Sequence, residues 1–238
     1  MPEQTKNLPD WEILLSVATH FQSIPPDAAP EEGTASARPD KPPFSHDEDL
    51  VLSDLKDRHN KAWTELESVA GLKSARSQPT ILIPGSLDGI ETGVRQIIRS
   101  EPLETTVTSV QGREIALPTE SEILRIKAIL ILRRNATRDY IDFVVLANHM
   151  GEEKAGAALV SFDRLYPQDS GQSALQQLLA QLANAMPYDL EEVWLDENKI
   201  RNPGWHDWNT FKLICAQSAL GIFEMVCKLE TGELLPEY

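Results

Sequence analysis

The sequence predicts an α+β fold. A small mixed sheet with flanking helices occupies residues 1–118, and a helical domain occupies residues 119–238. Three observations lead there. The first half alternates short apolar runs with Gly and Pro breaks, which is the texture of strands and turns. The second half repeats apolar residues at helical spacing. Between them, just after Pro118, Thr119 and Glu122 have the Thr-x-x-Glu spacing of a capping box that opens a long apolar helix.

Taken in order, Trp11, Leu14, Leu15, Ala18 and Phe21 predict a helix over 10–23, stopped by Pro25 and Pro26. The proline-rich stretch 27–43 reads as a loop. A strand follows over Phe44–Leu52, then a helix from about Ser53 to Val69, ending near Gly71. Strands over Thr80–Ile83 and Gly93–Ile98 flank a Gly-rich connection, and Thr105–Val110 with Arg113–Leu117 form a hairpin across Gln111 and Gly112. In the second half, helices are expected over Glu122–Arg133, Thr137–Met150 with Thr137 as its cap, Ala155–Tyr166, Ser173–Met186 and Asn209–Leu229. No internal repeat is visible.

Hydrophobic residues make up 41% and charged residues 25% of the chain, a globular rather than disordered or fibrous composition. The formal net charge is −15, which disfavours broad capture of nucleic acid or of an anionic membrane. Residues 139–238 hold 16 acidic and 6 basic side chains, so no binding of generic duplex DNA is expected. The window 113–138 is the exception, with six bases against three acids, and leaves room for a locally basic nucleotide site. Cys215 and Cys227 fall on one predicted helix. Twelve residues of rise hold them roughly 18 Å apart, too far for a mutual disulfide. Neither a signal pattern nor a run of about 18 uncharged apolar residues is seen, so a cytoplasmic protein without membrane partners is expected.

Chemistry concentrates in three places. In Ser45-His46-Asp47-Glu48-Asp49, strand alternation would put Ser45, Asp47 and Asp49 on one face. Paired carboxylates repel unless a cation lies between them, and their hard oxygens suit Mg²⁺; the alternative is an acidic, solvated turn. Lys127 sits in a run that is apolar nearly all round, where a lysine must snorkel, pair, or line a cavity able to take a phosphate. In Arg138-Asp139-Tyr140-Ile141-Asp142, Arg138 and Asp142 are spaced to pair on one helical face, and the two aspartates near the helix start favour its dipole. The five histidines (20, 46, 59, 149 and 206) lack the spacing of a hydrolytic or metal site.

In this order, the three pieces resemble the AbiEii/AbiGii-type nucleotidyltransferases of the polymerase-β-like superfamily. The counterparts are Gly33-Thr34-Ala35, Ser45-x-Asp47-x-Asp49, Lys127-Ala128 and Arg138-Asp139-Tyr140-x-Asp142, within residues 27–150. The resemblance implies Mg²⁺-dependent transfer of a nucleotidyl group from an NTP to an acceptor, which is an RNA, a protein or a small molecule. It assigns the metal to Asp47 and Asp49, and substrate to Gly33, Thr34, Ser45, Lys127, Arg138 and Asp139. It also raises an antitoxin as a partner.

The chain departs from the family pattern in two ways. Glu32 replaces the first glycine, and Arg38-Pro39-Asp40-Lys41-Pro42-Pro43 replaces the apolar helix after it. Gln96 stands where a third acid is expected, with Asp88 and Glu91 as nearby substitutes. The competing reading is therefore a non-catalytic NTP-sensing or protein-interaction module that keeps the fold.

Overall fold

The computed structural model describes residues 29–30, 47–52, 55–67, 73–74, 82–87, 90–96, 99, 101–110, 113–190 and 207–233. The helix expected over 10–23, most of the 27–43 loop, and Gly33, Thr34 and Ser45 lie outside them. The fold is α+β, and the chain forms two compact units, Met1–Thr119 and Glu120–Tyr238.

The first unit holds a five-stranded mixed sheet of order β1-β2-β5-β4-β3. These strands are β1 (Ala29–Pro30), β2 (Asp47–Leu52), β3 (Lys73–Ser74), β4 (Leu82–Leu87) and β5 (Ile90–Gln96). β2 and β5 run parallel, and the other neighbours are antiparallel. A parallel pair needs a crossover, and the crossover here includes helix α1 (Leu55–Glu67). Leu55, His59 and Ala62 are its buried positions, at helical spacing, and α1 packs against β5, whose Val94 is fully buried.

Two expectations are corrected in this sheet. Ala29–Pro30, read as loop, pairs with Val51 and Leu50 as an edge strand, a place where proline's missing N–H is tolerated. The Gly-rich connection shrinks, because β4 extends through Pro84 and Gly85 to Leu87 and pairs Leu87 with Ile90. Only Asp88-Gly89 is left between the strands, a dipeptide suited to tight hairpins. The second sheet is the hairpin β6 (Thr105–Val110) and β7 (Arg113–Pro118).

The second unit is helical: α2 (Glu120–Arg134), α3 (Thr137–Met150), α4 (Glu152–Leu159), α5 (Phe162–Leu165), α6 (Ala174–Ala183) and α7 (Trp208–Thr231). Its core gathers one apolar stripe from each helix, including Leu124, Phe143, Leu159, Phe162, Leu178 and Phe211, all fully buried. α2 is buried along ten successive residues, Glu122 to Ile131, as its nearly continuous apolar sequence requires. α7 packs on α4 and α6. Gly156 of α4 lets the backbones close, since a Cβ there would lie 2.5 Å from Met225 Cβ.

Three further differences have local causes. The helix expected over Ala155–Tyr166 begins earlier and is broken at Val160-Ser161, where Ser161 leaves the helical ladder (φ −86°, ψ 5°). The cap of α3 is not Thr137 but Ala136, which has no capping side chain. Thr137 occupies the first helical position, and its N–H and hydroxyl both donate to Asp189 Oδ1, at 2.7 and 2.8 Å. The capping carboxylate thus comes from far along the chain. Finally, α7 is long and apolar enough, by length and composition, to cross a membrane, a property the sequence reading did not register.

Candidate functional site

In the first unit, the acidic motif lies on β2. Asp47 and Asp49 stand two positions apart in that strand, and the parallel ladder sets Asp47 level with Glu91 and Asp49 level with Gly93 of β5. Gln96 is level with Leu52, at the opposite end of the pairing. Of the acids considered as a third carboxylate, Glu91 is therefore the one beside the Asp-x-Asp motif. Asp88 falls outside the described residues. The strand forms here because Leu50, Val51 and Leu52 supply β-favouring residues directly after the acids.

In the second unit, the polar groups predicted on α2 and α3 come together. Lys127 Nζ lies 2.7 Å from Asp142 Oδ2, with the lysine side chain 7% exposed and the aspartate 24%. Arg138 Nε approaches the same oxygen at 3.6 Å from one turn away on α3. The result is one carboxylate between two cations, the lysine buried and the arginine on the surface. Of the three fates open to Lys127, the structure shows pairing with an acid. A fold kept without nucleotide chemistry is expected to pair Lys127 with Asp142 or Asp139, and Asp142 is the acid it meets; which of the two it is depends on how α2 and α3 pack. Asp139 is buried on the same helix.

Helix α2 also carries a second buried pair. Arg125 donates through Nη1 to Glu122 Oε2 at 3.1 Å and through Nε to the Ala158 carbonyl at 2.7 Å, so it ties α2 to the end of α4. Buried ions survive when they are paired and hydrogen-bonded in this way.

The turn between α2 and α3 is held as firmly. Asn135 adopts a left-handed conformation (φ 51°) that asparagine tolerates. Its amide donates to the Met186 carbonyl at 2.9 Å, and its Oδ1 accepts from the Tyr140 hydroxyl at 2.6 Å. Burial, followed by the nearby Cys215 and Asp139 charges, pushes the Tyr140 phenol up to about 12. Among the residues whose side chains are described, which do not include Asp47, Asp49 and Glu91, no three His, Cys, Asp or Glu group to hold a metal ion.

No protein-family model matches the chain. Heme uptake protein MmpL11 of Mycobacterium tuberculosis is 41% identical over 95 residues, which is 39% of this chain and 10% of that protein. Mycolic acid-containing lipids exporter MmpL11 of Mycolicibacterium smegmatis is 31% identical over 138 residues, 56% of this chain and 14% of that protein. The chain thus spans between a tenth and a seventh of the length of the curated relatives it matches. Among solved structures, it is similar to the antibiotic-resistance factor ANT(2'')-Ia at 11% identity and a TM-score of 0.44, covering 64% of this chain and 91% of that one. It is similar also to an antigenic nucleotidyltransferase-like protein from Paracoccidioides brasiliensis at 16% identity and a TM-score of 0.42, covering 66% and 89%.

Proposed function

We propose that the chain is a nucleotidyltransferase of the AbiEii type, transferring a nucleotidyl group from an NTP to a hydroxyl acceptor. The observation that carries this reading is the acidic register on the first sheet: Asp47 and Asp49 on β2, with Glu91 level with Asp47 on the parallel neighbour β5. Carboxylates are the hard-oxygen donor set that Mg²⁺ takes. Asp47 and Asp49 would hold Mg²⁺, which when bound neutralises charge on the α-phosphate and readies the attacking hydroxyl. Glu91 takes the place of the third acid that Gln96 does not supply. In the transfer, the α-phosphorus gains a bond to the acceptor oxygen and loses its bond to pyrophosphate, while the acceptor's proton leaves to solvent.

The role expected of Lys127 and Arg138 is neutralisation of phosphate charge, and the Asp142 contact defines what that requires. A triphosphate must compete with a carboxylate already 2.7 Å from the ammonium. This same contact favours the second reading, a non-catalytic module in which Lys127 is satisfied internally. The test is incubation with each α-labelled NTP, Mg²⁺ and cell extract. Catalysis predicts label on an acceptor with the wild type, lost in Asp47→Asn. NTP binding without transfer supports the sensor, and absence of both supports a structural module.

A further inference from the structure

The long helix α7 has two apolar seams. One faces the core through Phe211, Cys215, Ala219, Ile222 and Val226. The other, Leu213, Ala216, Leu220, Phe223 and Cys227, recurs at alternating spacings of three and four, the pattern of a helix-pairing seam. It faces outward: Leu213, Leu220 and Phe223 are 65%, 59% and 53% exposed. A contiguous apolar stripe of this kind on the surface marks an interaction site.

The charges flanking the seam identify its occupant. Lys212 and Glu230 are eighteen residues apart, about five turns at 3.6 residues per turn, so they share one edge of the seam at its two ends. We propose that α7 pairs with the α7 of a second copy of this chain, antiparallel, about a two-fold axis near residues 220–222. That axis stacks Leu220 on the partner's Phe223 and Ala216 on the partner's Cys227. It also brings Lys212 against the partner's Glu230, once at each end, because a two-fold contact repeats every interaction. A parallel pair would set this edge of one helix against the opposite edge of the other, so Lys212 and Glu230 would not meet. Antiparallel packing also opposes the two helix dipoles favourably.

The test is sedimentation of the full chain. A dimer at micromolar concentration is expected, and Leu220→Glu with Phe223→Glu should give a monomer of unchanged helicity. Lys212→Glu and Glu230→Lys should each weaken dimerisation about tenfold, and the two together should restore it, a rescue that a non-specific apolar patch or a lipid-binding face would not show. Ala216→Cys should be bridged to the partner's Cys227 by added diamide, which takes the two electrons and two protons of the thiols. A wild type that stays monomeric at 100-fold higher concentration would overturn the proposal. So would a charge swap without rescue, a dimer bridged through Cys227 of both copies, or a chain that binds phospholipid vesicles and does not self-associate.

Discussion

The two units arrange their charged residues in different ways. In the helical unit, two cations drawn inward meet an acid: Lys127 with Asp142, and Arg125 with Glu122. In the sheet unit, the backbone register sets acid level with acid, Asp47 of β2 with Glu91 of β5. The first arrangement is self-sufficient and speaks for stability. The second puts acidic residues at one register level of neighbouring parallel strands, the residue type from which a divalent-cation site is built. The proposed chemistry is therefore placed on β2.

That comparison breaks first if the Lys127–Asp142 pair is unimportant. Removing one partner of a buried pair typically costs about 3–5 kcal/mol. Asp142→Ala should destabilise the chain by an amount near the lower end of that range, read from urea unfolding. Lys127→Ala should cost less, because Arg138 still lies 3.6 Å from the carboxylate. Replacing both by Leu should cost less than the two single losses combined.

Overpacking tests whether the helical unit is close-packed where α4 meets α7. Gly156→Ala should destabilise by about 1–3 kcal/mol, since the added methyl meets Met225 Cβ near the backbone. Gly221→Ala should be milder, because the atom 2.7 Å away is Oε1 at the flexible end of Glu152.

Alkaline pH sharpens the same point. Desolvation in the helical core pushes the Cys215 thiol from 9.0 up to about 12, and burial raises the Tyr140 phenol from 10.0 to about 12. Both groups stay protonated in the folded chain and ionise in the unfolded one. Their contribution is therefore full below pH 9 and is lost as pH rises toward 12. The melting temperature should fall steadily above pH 9, by on the order of 1–2 kcal/mol of stability at pH 10. Tyr140→Phe should flatten part of that slope. The smallest effect expected is at the α3 cap: Asp189→Ala should cost about 1 kcal/mol.

The helices were legible in the sequence because their determinants are local. α3 ends at Met150 as expected, though it takes in Thr137, its expected cap, as the first helical residue, and the Arg138–Asp142 pair follows from spacing alone. What escaped depends on partners distant in sequence. Asp189 caps α3 from 52 residues away; for Lys127 the sequence offers Asp142 and Asp139 as partners, and only the packing of α2 on α3 selects Asp142. The sheet repeats the lesson. The acids of β2 are visible as a motif, but that Glu91 rather than Gln96 stands beside Asp47 follows from the β2–β5 register, which joins segments far apart in the chain. Ala29–Pro30 was legible only as loop, because two residues become a strand by virtue of the neighbour they pair with.

The central claim is that Asp47 and Asp49 together form a divalent-metal site, and Mn²⁺ titration followed by electron paramagnetic resonance tests it most directly. With NTP present, the wild type should deplete the free Mn²⁺ signal at a stoichiometric site. Asp47→Asn with Asp49→Asn should lose that site while circular dichroism stays unchanged. Identical titrations of wild type and the double variant, both folded, would contradict the account.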